Sequence, residues 1–113
     1  MNKEEQKHHL HSISSTIGAV HQVVDSLSYE QFEQNEQVKE QIYEYLQEIG
    51  QAASQLQNGE PDIDIDFNVL NAFKNARYNQ EVEMDHHSVW SIIKVELPKI
   101  SDEIEQSNLY NLV

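Results

Sequence analysis

The sequence predicts an all-α protein, an up-and-down bundle of four main helices plus a short extra helix, and three observations carry that expectation. Only 3 glycines and 2 prolines interrupt 113 residues, and the rest is rich in Gln, Glu, Leu, Ile and Ala, which cost little in a helix. Leu10, Ile13, Ile17, Val20, Val24 and Leu27 recur at alternating spacings of 3 and 4, the apolar stripe of an amphipathic helix. Ser28, Asn35, Asp66 and Asp85 each stand just before a helical stretch, where a short polar side chain can accept from an orphan backbone N–H.

Taken in order, the stripe defines a first helix near 5–26. Ser28-x-x-Gln31 is a capping box that opens a short helix carrying Tyr29 and Phe32. Asn35 caps a longer helix, about 36–57, whose stripe reads Val38, Ile42, Tyr45, Ile49, Ala52 or Ala53, and Leu56. Gly50 interrupts it where alanine would be better by about 1 kcal/mol, a cost that an interior glycine offsets by letting another helix approach closely. Asn58-Gly59-Glu60-Pro61 is a stop, with Gly59 near the C-terminal cap. Asp66 caps a third main helix bearing Phe67, Leu70 and Phe73, with helicity fading near Asn79. Asp85 caps the last helix, which places Val89, Ile93, Leu97, Ile100 and Ile104 on one face and is expected to kink at Pro98. The tail, 107–113, is expected to fray, although Leu109, Tyr110 and Leu112 are able to dock. There is no internal repeat and no low-complexity linker, so residues 1–113 read as one domain.

Charge and composition exclude several function classes. Twenty acidic against 7 basic residues give a formal charge of −13. That disfavours RNA or DNA as a partner, because Lys and Arg on phosphate supply most non-specific affinity. The balance suits a solvated exterior or a basic protein partner. The absence of cysteine removes disulfides, thiol catalysis and Cys-based zinc sites. Residues 1–7 are polar, unlike a signal peptide, and no apolar run approaches the roughly 18 residues that span a bilayer. A cytoplasmic protein without membrane contact is the expectation.

Other constellations are weaker. His8 and His11 lie one turn apart with His9 between them, which is metal-ligand spacing on an exposed helix surface but lacks a further ligand. Asp62-x-Asp64-x-Asp66 begins like a calcium loop, yet Phe67 takes the glycine position and Phe73 the bidentate glutamate position. Capping and turn chemistry explain these aspartates better. Phe67, Phe73 and Trp90 suit a core or a dimer interface, and Tyr43, Tyr45 and Tyr78 suit packing or an interface rim. Neither a metal site nor a cofactor is expected; no Gly-rich phosphate loop is visible.

A longer pattern is more specific. Leu27-Ser-Tyr-Glu-Gln-Phe32 is followed by Tyr45-Leu-Gln-Glu-Ile-Gly-Gln-Ala-Ala53, then Ala72-Phe-Lys-Asn75, Val89-Trp-Ser-Ile-Ile93 and Leu97-Pro98. In order and spacing this resembles the HepT-like branch of the HEPN helical domains, over about residues 8–106. The resemblance implies a homodimeric helical bundle, related to the metal-independent ribonuclease toxins of toxin–antitoxin pairs. It also implies a minimal nucleotidyltransferase as the protein partner. The family's motif is Arg, then His four to six residues on, often with Tyr two residues further. In this chain Lys74 stands in the Arg position, Asn75 matches the usual Asn, Asn79 stands for His and Glu81 for Tyr.

Those replacements act against the family's chemistry. RNA cleavage without metal needs a group that takes the ribose 2′-hydroxyl proton and a cation on the developing phosphorane. Histidine titrates near neutrality, whereas an asparagine amide does not exchange a proton there. Lys74 keeps the charge but lacks the planar fork of arginine. Glu81 adds negative charge and has no hydroxyl to modify. The expectation is a degenerate family member, acting as a dimeric binding or regulatory module; the alternative is a working endoribonuclease. In that alternative His86 or His87, first-turn residues otherwise facing solvent, swings into the cleft, and Arg77 replaces the lost cation.

Overall fold

The computed structural model describes residues 1–74 and 85–112. Among them the chain is helical and contains no strand. Helix α1 spans Lys3–Val24, with the Asn2 side chain accepting from Glu5 N at 2.8 Å. Its stripe of Leu10, Ile13, Ile17, Val20 and Val24 is wholly buried, while Leu27 beyond its end is half-buried. Helix α2, Tyr29–Gln34, opens on the expected capping box: Gln31 N donates to Ser28 Oγ at 3.2 Å and Ser28 N to Gln31 Oε1 at 2.9 Å.

Helix α3, Glu36–Asn58, packs antiparallel against α1. Gln6 Nε2, in the first turn of α1, donates to the Gly59 carbonyl at the far end of α3 at 2.8 Å. The buried face is rotated from the expected one. Ile42, Tyr43, Leu46, Ile49, Ala53 and Leu56 form it, whereas Val38 and Tyr45 are half-buried. The run 42, 46, 49, 53, 56 keeps a 3–4 spacing with purely apolar residues, so it takes the core. Tyr45 stays at the margin, where its hydroxyl accepts from Gln41 Nε2 at 3.3 Å. At the helix stop Gly59 is the cap residue, but the left-handed step falls on Glu60, with φ of 51°.

Helix α4 is shorter than expected. It begins with Asp66 Oδ1 accepting from Val69 N at 3.2 Å and ends at Asn71, not near Asn79. The chain then tightens, with Phe73 N donating to the Leu70 carbonyl at 3.2 Å and Lys74 N to the Asn71 carbonyl at 3.1 Å. This tightening seats the backbone on α3. A β-carbon at Gly50 would lie 2.7 Å from Lys74 Cα and 2.8 Å from the Phe73 carbonyl carbon, and closer still to Lys74 N. Only a residue without a side chain allows this contact.

The last helix has three parts. Helix α5, His86–Ser91, is capped by Asp85, whose Oδ1 accepts from His87 N at 3.3 Å. A wider π turn over Ile92–Glu96 follows, and α6 runs over Leu97–Glu105. The expected disturbance at Pro98 therefore takes the form of a change in hydrogen-bond register. Leu97 N donates to the Ile92 carbonyl, five residues back. In that register the next carbonyl, Ile93, faces Pro98, which has no N–H. His21 of α1 supplies the missing donor, its Nε2 lying 3.2 Å from the Ile93 oxygen.

Residues 107–112, where the sequence suggested fraying, lie back along α1. Leu109 is 6% exposed, Tyr110 stacks on His11, and Lys7 Nζ donates to the Leu112 carbonyl. The core is continuous across α1, α3, α4 and the last helix, and no helix of the described residues is long and apolar enough to cross a membrane.

Two outcomes follow for stability. Gly50→Ala should lower the unfolding free energy by about 1–3 kcal/mol in urea, because backbone atoms cannot move aside as a flexible side chain would. Helix propensity alone predicts a gain of about 1 kcal/mol, which would contradict the contact. His21→Leu should cost about 1 kcal/mol in the parent and clearly less beside Pro98→Ala, which restores an N–H; equal costs in both backgrounds would contradict the donor role of His21.

Candidate functional site

Of the motif positions, Lys74 is placed by the structure, whereas Asn75, Arg77, Asn79 and Glu81 lie outside the described residues. Lys74 has its backbone pinned over Gly50 and its side chain exposed. The chain returns at Asp85, and the two candidate histidines then point to different neighbours.

His86 is half-buried, a correction to the solvent-facing reading of a first-turn residue. Its Nδ1 lies 2.6 Å from Tyr43 Oη, with the two ring centroids 5.7 Å apart. Tyr43 is itself 2% exposed, so its hydroxyl needs a partner and an α5 imidazole provides one. Lys39 lies one turn before Tyr43 on the same face of α3 and is also buried. A lysine, a phenol and an imidazole thus occur together at the α3–α5 junction. Sequence reasoning missed Lys39 and treated Tyr43 as packing or an interface rim. The signal was present in the Lys39-x-x-x-Tyr43 spacing beside Ile42 and Leu46, and the misplaced stripe hid it.

His87 is exposed and belongs to an aromatic cluster. Its ring meets Tyr29 edge-on at 4.9 Å, and Tyr29 meets Trp90 edge-on at 6.0 Å. Phe32 lies beneath, 5.0 Å from Trp90 and wholly buried. Lys94 Nζ sits 5.2 Å from the Trp90 ring centre. Burial, and then the carboxylates of Glu33 and Asp85, push the Tyr29 phenol above its ordinary value. Of the three aromatics expected in a core or a dimer interface, Phe73 is fully inside, whereas Trp90 and Phe67 are half-buried.

The remaining constellations resolve into packing. His11 is committed to the tail, its Nε2 lying 3.1 Å from the Tyr110 carbonyl and its ring stacked at 4.0 Å. Asp66 serves as a cap, and Asp62 and Asp64 border a shallow cleft with Lys3, Glu103 and Leu109. Among the described residues no group of three His, Asp or Glu side chains could hold a metal ion.

Comparison with known proteins gives the family. The family described as ribonuclease HepT-like matches residues 13–107. The chain belongs to this HepT-like family. Two relatives from Methanocaldococcus jannaschii span almost the same length. The candidate RNase MJ1380 is 23% identical over 107 residues, covering 93% of this chain and 98% of the relative. The candidate RNase MJ0125 is 27% identical over 108 residues, covering 94% and 93%. No solved structure matches the chain.

Within this HepT-like protein the Tyr43–His86 bond joins α3 to the start of α5. A double-mutant cycle of Tyr43→Phe and His86→Ala should return a coupling of about 0.5–1.5 kcal/mol in urea unfolding. Additive effects of the two substitutions would show that the pair does not interact in solution.

Proposed function

We propose that this HepT-like protein keeps the family scaffold but has lost its acid–base chemistry, and that it acts as a dimeric binding or regulatory module. Its partner is a protein, with a minimal nucleotidyltransferase the first candidate. The observation that carries this reading is position 79, where asparagine replaces the imidazole that would exchange the ribose 2′-hydroxyl proton. Lys74 and Glu81 push in the same direction, one by losing the bidentate grip on phosphate and the other by adding a negative charge. The formal charge of −13 adds a general repulsion toward RNA.

A second reading has one observation in its favour. Tyr43 holds the His86 ring in a fixed orientation, and an oriented imidazole is what a general base requires. In this reading the chain is an active endoribonuclease that uses His86 in place of the residue lost at position 79.

RNA cleavage by the purified protein in the presence of chelator separates the two. The parent should be inactive, and the Lys74→Arg/Asn79→His/Glu81→Tyr variant should gain cleavage by about 10²–10⁴, the usual contribution of a general base. Dimerisation is checked for both by sedimentation. Parent activity that resists chelator and disappears in His86→Ala would overturn the binding-module reading and establish the second.

A further inference from the structure

We propose that Tyr29, His87 and Trp90, rimmed by Glu33 and Asp85, form a receptor for one arginine or lysine side chain on a basic segment of a partner protein. The proposal rests on the binding-module reading and gives it a surface.

The rings form an edge-to-face cluster. Tyr29 stands at 64° to both His87, at 4.9 Å, and Trp90, at 6.0 Å. Phe32 is fully buried and meets both Trp90, at 5.0 Å, and Tyr29, at 6.5 Å, so these two rings are anchored to core packing. His87 is exposed and Tyr29 and Trp90 are half-buried, so the rings stay accessible from solvent. Ring faces carry negative potential and attract a cation placed over them, most strongly for tryptophan.

Two features select a cationic occupant. The first is charge. Glu33 and Asp85 both lie close enough to Tyr29 to act on its phenol, and both are exposed. They add full negative charges to the ring quadrupoles, in a chain that is already strongly acidic. The second is an occupant already in place. Lys94 Nζ sits over Trp90 at 5.2 Å, so this ring face already takes an ammonium group from its own chain. Lys94 is exposed and on a flexible stem. A partner's guanidinium, which stacks better on an aromatic plane and is more weakly hydrated, can displace it.

The chain contains a single tryptophan, so emission from Trp90 reports on this site alone. The probe is a blocked tetra-arginine peptide, titrated at low salt, with a tetra-glutamate peptide as control. The arginine peptide should change Trp90 emission saturably and the glutamate peptide should not. Tyr29→Leu and Glu33→Gln should each weaken binding about three- to ten-fold, and Tyr29→Phe, which keeps the ring, should retain it. Lys94→Met removes the resident cation and should tighten binding about three-fold, more than Lys99→Met, which makes the same charge change at an exposed position away from Trp90.

Equal effects of Lys94→Met and Lys99→Met, or unchanged affinity in both Tyr29→Leu and Glu33→Gln, would overturn the proposal in favour of general attraction to an acidic surface. Emission that changes with protein concentration but not with peptide would overturn it in favour of a second copy of this chain. Circular dichroism establishes that each variant is folded, and exposed Glu33 provides a test that does not depend on core packing. RNA cleavage is measured on the same preparations: no peptide binding and no cleavage sinks the surface alone, whereas cleavage sinks the reading beneath it.

Discussion

The backbone of residues 73–74 rests directly on α3 at Gly50, and the placement of the functional region depends on that contact. It requires that one position of a long helix have no side chain, and the helix accepts a propensity cost of about 1 kcal/mol to provide it. In return the α4 turn is held at a fixed height above α3, with Phe73 driven into the core and Lys74 left exposed immediately after it. Lys74, proposed to stand in the family's Arg position, is thus positioned by backbone packing rather than by its own side chain. On that proposal Lys can stand for Arg without disturbing the fold, because the contact over Gly50 is made by backbone atoms.

The last helix is matched to α1 in a comparable way. Pro98 removes a donor, the register widens into a π turn, and the carbonyl left without a partner is met by His21. Further along, Ser14 Oγ donates to Glu105 Oε1 at 3.2 Å, and His11 and Lys7 hold the tail. These polar links run the length of α1 beside an apolar stripe that is sealed from solvent. Burial of that stripe supplies most of the stability, and the polar links fix how the last helix slides along it. α5, which begins with His86 and His87, is therefore carried on a helix whose register is set from both ends.

Much of this was legible in the sequence. Ser28, Asn35, Asp66 and Asp85 all cap the helices they were expected to cap, because short-range hydrogen bonding depends on few residues. Gly50 was recognisable as a point of close approach, though not its partner, since tertiary contacts leave no periodic trace. The buried face of α3 was misjudged because Tyr45 and Tyr43 are equally apolar on paper; only the Leu46 register separates them. Pro98 signalled a disturbance without revealing that an imidazole from α1 would compensate it. For the site, the proposed motif replacements rest on the sequence alone, whereas the Tyr43–His86 bond and the Tyr29–His87–Trp90 cluster join residues distant in sequence and emerge only once α2, α3 and α5 are packed.

In the proposed reading scaffold and chemistry are separable: a glycine on α3 seats the backbone at Lys74, and the proposed motif side chains can change without altering that seat. Native-state hydrogen exchange, comparing the parent with Gly50→Ala under conditions where both are folded, tests this most directly. The account predicts faster exchange concentrated at the amides of Phe73 and Lys74, with the amides of α1 unaffected beyond the global loss of stability. Exchange that rises uniformly along the chain, or that leaves Phe73 and Lys74 as protected as in the parent, would contradict it.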